Sequence, residues 1–176
     1  GIIDKDGGLL SDAGFGVEEI KQLLESRNGN ALAHPDMMSF ADVNEKIWQV
    51  NAEIFIPAAA SKIVQKSQID SLCAHGLEVI SCGANVPFAD AEVFYGEIAQ
   101  YTDTKCSVVP DFIANCGMAR VFAYLMQPEG VTLTEEAIFE DVSVTIKNAL
   151  HDCFRSSSDL PGLQKIGLGI AMDKLI

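Results

Sequence analysis

The chain has 176 residues, 48% of them hydrophobic, which is enough to bury one substantial core, and it sets 12 Lys and Arg against 25 Asp and Glu for a formal net charge of −13. That balance argues against a nucleic-acid partner, because a phosphate backbone must be neutralised by basic residues; an anionic ligand would have to be held by backbone N–H groups and helix N-termini. No apolar run approaches the roughly 18–20 residues that span a bilayer, and "GIIDKDGGLL" lacks the sections of a secretory signal, so no membrane partner is expected.

Five cysteines, Cys73, Cys82, Cys106, Cys116 and Cys153, are odd in number and contain no C-x-x-C pair. Free thiols within apolar stretches fit a reducing compartment, which predicts a cytoplasmic protein. His34, His75 and His151 are far apart and show no metal-ligand spacing, so no metal site is expected.

In chain order, "GIID" is a short apolar strand ending in an acid, and "KDGG" is a turn. "GVEEIKQLLESRNGN" carries Val17, Ile20, Leu23 and Leu24 at the spacing of an amphipathic helix closed by Gly29. "NAEIFIPAA" (51–59) is a second strand halted by Pro57, preceded by Trp48 as a packing residue. "VQKSQIDSLCAHG" follows as a helix burying Ile69, Leu72 and Cys73 and stopping at Gly76. "LEVISCGA" is the third strand. "DAEVFYGEIAQY" is its helix, with Asp90 as N-cap and Val93, Phe94, Ile98 and Tyr101 facing inward. "CSVVPD" is the fourth strand and "FIANCGMARVFAYLMQ" the helix after it. Beyond Gly130 only helices are predicted, "LTEEAIFEDVSVTIKNALHDCFRSS", capped by Thr134 with acids in its first turn, and "LPGLQKIGLGIAMDKLI".

Continuous apolar strands alternating with helices predict an α/β domain built on a mainly parallel sheet covered on both faces, followed by a helical C-terminal extension. In such sheets ligands bind beyond the carboxyl ends of the strands. Those ends hold Asp4, the stretch Ala58 to Ser61, the stretch Gly83 to Pro87 and the stretch Pro110 to Gly117.

The runs "IFIPAA", "GANVP" and "VVPDFIANCG", in this order and at these spacings, resemble the second domain of the glutamate/leucine/phenylalanine/valine dehydrogenases. There the matching runs are approximately I-x-I-P-A-A, G-A-N-x-P and P-D-x-x-A-N-x-G-G. "GIIDKDGGLL" resembles that family's second strand of the nucleotide-binding fold. The likeness covers about residues 1–127, and the C-terminal helices more loosely. It implies a Rossmann-like domain at residues 1–130 with a helical extension at 131–176 packing on it. It also implies that the first strand, the glycine-rich phosphate loop and the substrate domain with its catalytic lysine and aspartate lie outside these residues. "GGLLSDAGFG" does not supply the G-x-G-x-x-G spacing. No catalytic residue is then expected in this stretch, which should be inactive alone.

What the resemblance implies for single residues stands beside a simpler structural account of each. The Asp4 carboxylate would accept hydrogen bonds from the adenosine ribose and favour NAD over NADP without excluding NADP, or it stabilises its own turn. Ala58, Ala59 and Gly83 would let a flat ring approach, or they mark tight packing. Asn85 would lie by the nicotinamide riboside, or cap the next helix. Asn115 would lie near the nicotinamide and the amino acid's reacting carbon, with Gly117 and Phe122 close to the substrate, or Asn115 caps the helix that follows. The family's second glycine is Met118 here, and Phe122 stands where glutamate-using members commonly carry a serine, so either a substrate other than glutamate or a rearranged pocket is expected. The implied function is the cofactor-binding part of an NAD(P)-dependent amino acid dehydrogenase, with the dinucleotide and an amino acid as partners in a homo-oligomeric parent. The alternative is a non-catalytic regulatory or interaction module that kept the fold.

Overall fold

A computed structural model of the chain describes residues 1–128, 130–156 and 161–175. It divides into two compact units, Gly1–Ala52 with Ser67–Gly76, and Glu53–Lys66 with Leu77–Ile176.

In the first unit, β1 (Ile2–Ile3) pairs antiparallel with β2 (Gly7–Leu9), and β2 pairs antiparallel with β3 (Met38–Ser39). "GIID" is therefore one arm of a hairpin and not a strand of the parallel sheet. The cause is local. Asp4 Oδ1 accepts the N–H groups of Asp6 (2.8 Å) and Gly7 (3.1 Å) and turns the chain back on itself. A Cβ on Gly8 would lie 2.4 Å from the Ile2 carbonyl, and one on Gly7 2.2 Å from that of Met38, so only glycine permits this close pairing.

Helix α1 (Val17–Glu25) begins where the Gly16 N–H donates to Glu19 and stops at Ser26, short of the predicted closure at Gly29. Of its predicted apolar face only Leu23 is buried, while Val17, Ile20 and Leu24 are exposed. Helix α2 (Phe40–Lys46) is capped by Ser39, buries Val43 completely, packs on β2 and runs into a 3₁₀ turn at Ile47–Gln49. Trp48 there is half-buried and donates to Asn44. Helix α3 (Lys66–Ala74) buries Ile69 and Leu72 and is followed by Gly76 at φ +93°.

The second unit is built on a parallel sheet of β4 (Ile54–Phe55), β5 (Val79–Ser81) and β6 (Ser107–Val109), adjacent in that order. Ile80 and Val108, at the centre of their strands, are fully buried. Helix α4 (Glu97–Asp103) connects β5 to β6; then come α5 (Asp111–Ala114), α6 (Gly117–Leu125), α7 (Glu135–Ser156) and α8 (Leu163–Asp173). Helix α8 packs on β6 and α4, and α7 packs on α5, α6 and α8. Ile113, Cys153 and Leu163 centre this core. Thr134 accepts from the Ala137 N–H at 3.3 Å, the predicted cap, with Glu135 and Glu136 in the first turn. The predicted helix positions Ser157, Leu160 and Ile176 lie outside the described residues.

Two further predicted helices differ. The segment after β5 becomes helical only at Glu97, so Val93 and Phe94 are 55% and 71% exposed and do not face inward. Asp90 is buried and still caps α4, but from a distance, accepting from the N–H groups of Ile98 (2.7 Å) and Ala99 (3.0 Å). Gly96 makes this possible, since a Cβ there would lie 2.5 Å from the Asp90 side chain. The helix predicted over residues 112–127 breaks at Asn115 and Cys116 into α5 and α6. None of the five cysteines is in a disulfide. No helix among the described residues is long and apolar enough to cross a membrane.

Candidate functional site

The carboxyl ends of β4, β5 and β6 open into a solvent-exposed cleft of about 430 Å³ lined by Ala58, Ala59, Ala60, Ser61, Gly83, Ala84, Asn85 and Asn115. Five residues named from the sequence, Ala58, Ala59, Gly83, Asn85 and Asn115, thus share one cleft. Gly117 and Phe122 are not in its lining. Gly117 opens α6, and Phe122 and Met118 are exposed on that helix at 59% and 68%.

The loops are drawn together by backbone contacts. The Ala84 N–H donates to the Pro57 carbonyl at 2.7 Å. A Cβ on Gly83 would stand 3.1 Å from that of Ala58, so the small residues here satisfy loop packing as well as keeping the cleft open.

Asn115 is the polar centre of the cleft. Its Nδ2 donates to Asn85 Oδ1 at 2.6 Å and to the Gly83 carbonyl at 3.3 Å. Asn115 closes α5 as its C-terminal cap residue, and α6 begins after Cys116 without a side-chain cap, so the expected capping bond is not made. With both Nδ2 hydrogens committed, Asn115 Oδ1 is left as acceptor and Asn85 Nδ2 as donor.

Three residues with no individual role assigned from sequence hold this arrangement. Asp111 Oδ1 accepts from the Phe112 N–H (2.9 Å) and Oδ2 from the Val86 N–H (2.7 Å). Val86 sits at φ +45° and Lys62 at φ +59°, and the Lys62 N–H donates to the Val86 carbonyl at 2.8 Å. A long-range backbone bond of this kind leaves no periodic signal; the only trace in the sequence is the Pro110-Asp111 pair ahead of Asn115.

A second, smaller cavity of about 20 Å³, room for about one water, lies between the loop at Val86 to Gly96 and α8. Beside it, buried Asp103 accepts from Tyr95 Oη (3.0 Å) and from the N–H groups of Gln164 (2.9 Å) and Lys165 (3.0 Å), tying α4 to the start of α8. Burial, and then the charge and hydrogen bond of Asp103, push the Tyr95 phenol up to about 12. Burial, then the charges of Asp111 and Cys106, push the Cys82 thiol up to about 12, so it is protonated and inert near neutrality. On α6, Arg120 grips Asp141 of α7 through two bonds of 2.6 and 2.7 Å.

In the first unit, the Asp4 carboxylate is occupied by backbone. Besides Asp6 and Gly7, the Leu32 N–H donates to its Oδ2 at 2.6 Å. Burial raises its pKa, but those three hydrogen bonds and the charge of Lys5 outweigh it and hold the carboxyl below its ordinary value. One acceptor position on Oδ2 remains.

The chain is 27% identical over 183 residues to the NADP-specific glutamate dehydrogenase of Saccharolobus shibatae, a match covering 100% of this chain and 40% of that protein. Among solved structures, a glutamate dehydrogenase of Plasmodium falciparum superposes with a TM-score of 0.62 at 18% identity, over 98% of this chain and 39% of that one. Another solved glutamate dehydrogenase gives 0.61 at 19% identity, over 97% and 40%. At these identities the structural matches establish the fold, and the chain spans about 40% of the length of its relatives. The family model of the Glutamate/Leucine/Phenylalanine/Valine dehydrogenases matches residues 1–162, and the chain belongs to that family.

Proposed function

We propose that the chain is the cofactor-binding part of an NAD(P)-dependent amino acid dehydrogenase, an oxidoreductase that converts an amino acid reversibly to a 2-oxo acid and ammonium. The observation that carries this reading is the Asn115–Asn85 amide pair, 2.6 Å apart, at the mouth of three parallel strand ends beside the alanines of the β4 loop. A bound nicotinamide accepts the hydride from the substrate carbon. The residues of this chain supply position. Asn115 Oδ1 and Asn85 Nδ2 present an acceptor and a donor, the complement of a carboxamide or of ribose hydroxyls. Ala58, Ala59 and Gly83 leave room for a flat ring to lie against backbone.

Asp4 offers its remaining acceptor position to the ribose, and a carboxylate there disfavours a 2′-phosphate, which favours NAD. The Saccharolobus shibatae relative is described as NADP-specific, so both cofactors belong in the test. In this reading Asn115 faces the amino acid, and Gly117 and Phe122, outside the lining of the cleft, lie close to it. Phe122 offers no hydrogen bond to a side-chain carboxylate, which favours a substrate other than glutamate. Residues 1–130 serve as a partial dinucleotide-binding domain and 131–176 as its helical extension, in a cytoplasmic homo-oligomer whose catalytic residues lie outside this stretch. The exposed Met118 and Phe122 favour one second reading, an interaction module that retains the fold without the reaction.

The test is calorimetric titration of NAD and NADP into this chain and into the longer dehydrogenase that the reading implies, with a panel of amino acids assayed on the latter. Micromolar cofactor binding and oxidation of a non-glutamate amino acid by the longer protein, with weak or no binding by this chain, are expected. A longer protein that neither binds a dinucleotide nor turns over any amino acid would overturn the reading in favour of the interaction module.

A further inference from the structure

Val86 is a β-branched residue at φ +45°, a backbone region that L-residues avoid, and it precedes Pro87, which by itself drives its neighbour toward extended backbone. Glycine is the ordinary occupant of such a position. Here the conformation is held from both sides. The Val86 N–H donates to Asp111 Oδ2 at 2.7 Å, and the Val86 carbonyl accepts from the Lys62 N–H at 2.8 Å. Lys62 is itself left-handed at φ +59°, so two strained residues in neighbouring loops are bonded to each other.

Asp111 is not acting as an ordinary helix cap. One oxygen takes the N–H of the adjacent Phe112, and the other leaves its own helix to reach Val86, 25 residues away in sequence. The consequence falls on Asn85, directly before Val86, whose Oδ1 receives the Asn115 amide at 2.6 Å. An extended Val86 would rotate the peptide that carries Asn85 and withdraw that acceptor.

We propose that Asp111 is a positioning residue: its carboxylate holds Val86 in the left-handed conformation, and the strained Val86 peptide sets Asn85 against Asn115. This rests on the reading of the amide pair as a cofactor contact. Asp111 then touches neither cofactor nor substrate, and acts through one backbone N–H. Because Asp111 leads α5 and Asn115 closes the same helix, one short element carries both the clamp and its beneficiary.

The test is NMR of the full chain, following the Val86 HN–Hα coupling and the cross-peaks between the Asn115 side-chain amide and Asn85. Asp111→Ala is expected to lower the paired population by about tenfold, the penalty of a left-handed L-residue left unsupported. Asp111→Asn keeps an acceptor for the Val86 N–H and is expected to preserve the pair. Val86→Gly removes the strain, so in that background Asp111→Ala should lower the pair by less than threefold. If Asp111→Ala leaves the Asn85–Asn115 cross-peaks intact, the proposal is wrong. It is equally wrong if Asp111→Asn and Asp111→Ala are equally harmful, the result of a purely electrostatic helix role, or if Val86→Gly gives no rescue. Should Asp111→Ala fail to fold, the Asp111→Asn and Val86→Gly spectra still decide, since both must retain the pair. Titrating NAD and NADP into the longer dehydrogenase that the proposed function implies, carrying the same substitutions, reports separately on the cofactor reading: a clamp that holds in this chain beside a longer protein that binds neither cofactor would leave Asp111 in place and remove that reading.

Discussion

Asn115 commits its two amide hydrogens to neighbouring loops, which gives its substitutions distinct signatures. Asn115→Ala removes partly exposed hydrogen bonds, so it should cost about 1 kcal/mol of stability or less, while in the complete dehydrogenase kcat/KM should fall by about 10²-fold. Asn115→Asp replaces the donor by a charge facing Asn85 Oδ1, and should lose activity and stability together; melting curves and steady-state kinetics on both variants check this. An aspartate variant with full stability and activity would contradict the geometry. Tyr95 offers a pH test. Its folded pKa of about 12 lies above the ordinary 10.0, so its contribution to stability is complete below pH 10 and is lost as pH rises through the folded value. Tyr95→Phe should cost about 1 kcal/mol at neutral pH and flatten the fall in stability over that alkaline window, measured by denaturant titration at several pH values. At this scale the sequence identified Asn85 and Asn115 through their motifs. It did not identify Asp111, Asp103 or Val86, because each acts through bonds to residues distant in sequence.

At the scale of elements, the second unit is tied together by two carboxylates of different kinds. Asp103 is buried at the end of α4 and accepts two N–H groups from the first turn of α8 together with the Tyr95 hydroxyl. Asp103→Ala leaves those donors without partners, and a loss of about 3 kcal/mol is expected. Amide hydrogen exchange should show α8 losing protection first, because Asp103 is what satisfies its N-terminus. The Arg120–Asp141 pair between α6 and α7 is more exposed. Its hydrogen bond to Arg120 outweighs partial burial and, with the guanidinium charge, holds the Asp141 carboxyl below its ordinary 3.8. The pair therefore stabilises above that value and is lost as pH falls through the lower folded one. Asp141→Asn should remove this acid limb and leave the alkaline side unchanged, seen in acid melting curves. Strand and helix alternation was legible because burial imposes a period on each element. The start of α4 and the break between α5 and α6 were not, since a remote capping aspartate and the Asn115 amide bonds set those ends.

For the whole molecule, the exposed apolar residues of α6, Met118, Phe122 and Leu125, are spaced along one side of the helix, and each of the two sheets ends in short edge strands among the described residues. Self-association is the expected result, with apparent mass in light scattering rising with concentration; a constant monomer mass would refute it. The sequence by itself determined the family, the strand and helix alternation from Ile54 onward and the cluster of small and amide residues at the strand ends, because each is written in neighbouring residues, as a motif or as a periodic burial pattern. Tertiary structure alone decided that the first strand turns back into a hairpin, that Asn85 and Asn115 pair with each other, and that a left-handed Val86 held by Asp111 and Lys62 lies beneath them. Those outcomes depend on hydrogen bonds and close approaches between segments far apart in the chain, whose partners are chosen only when the backbone is packed.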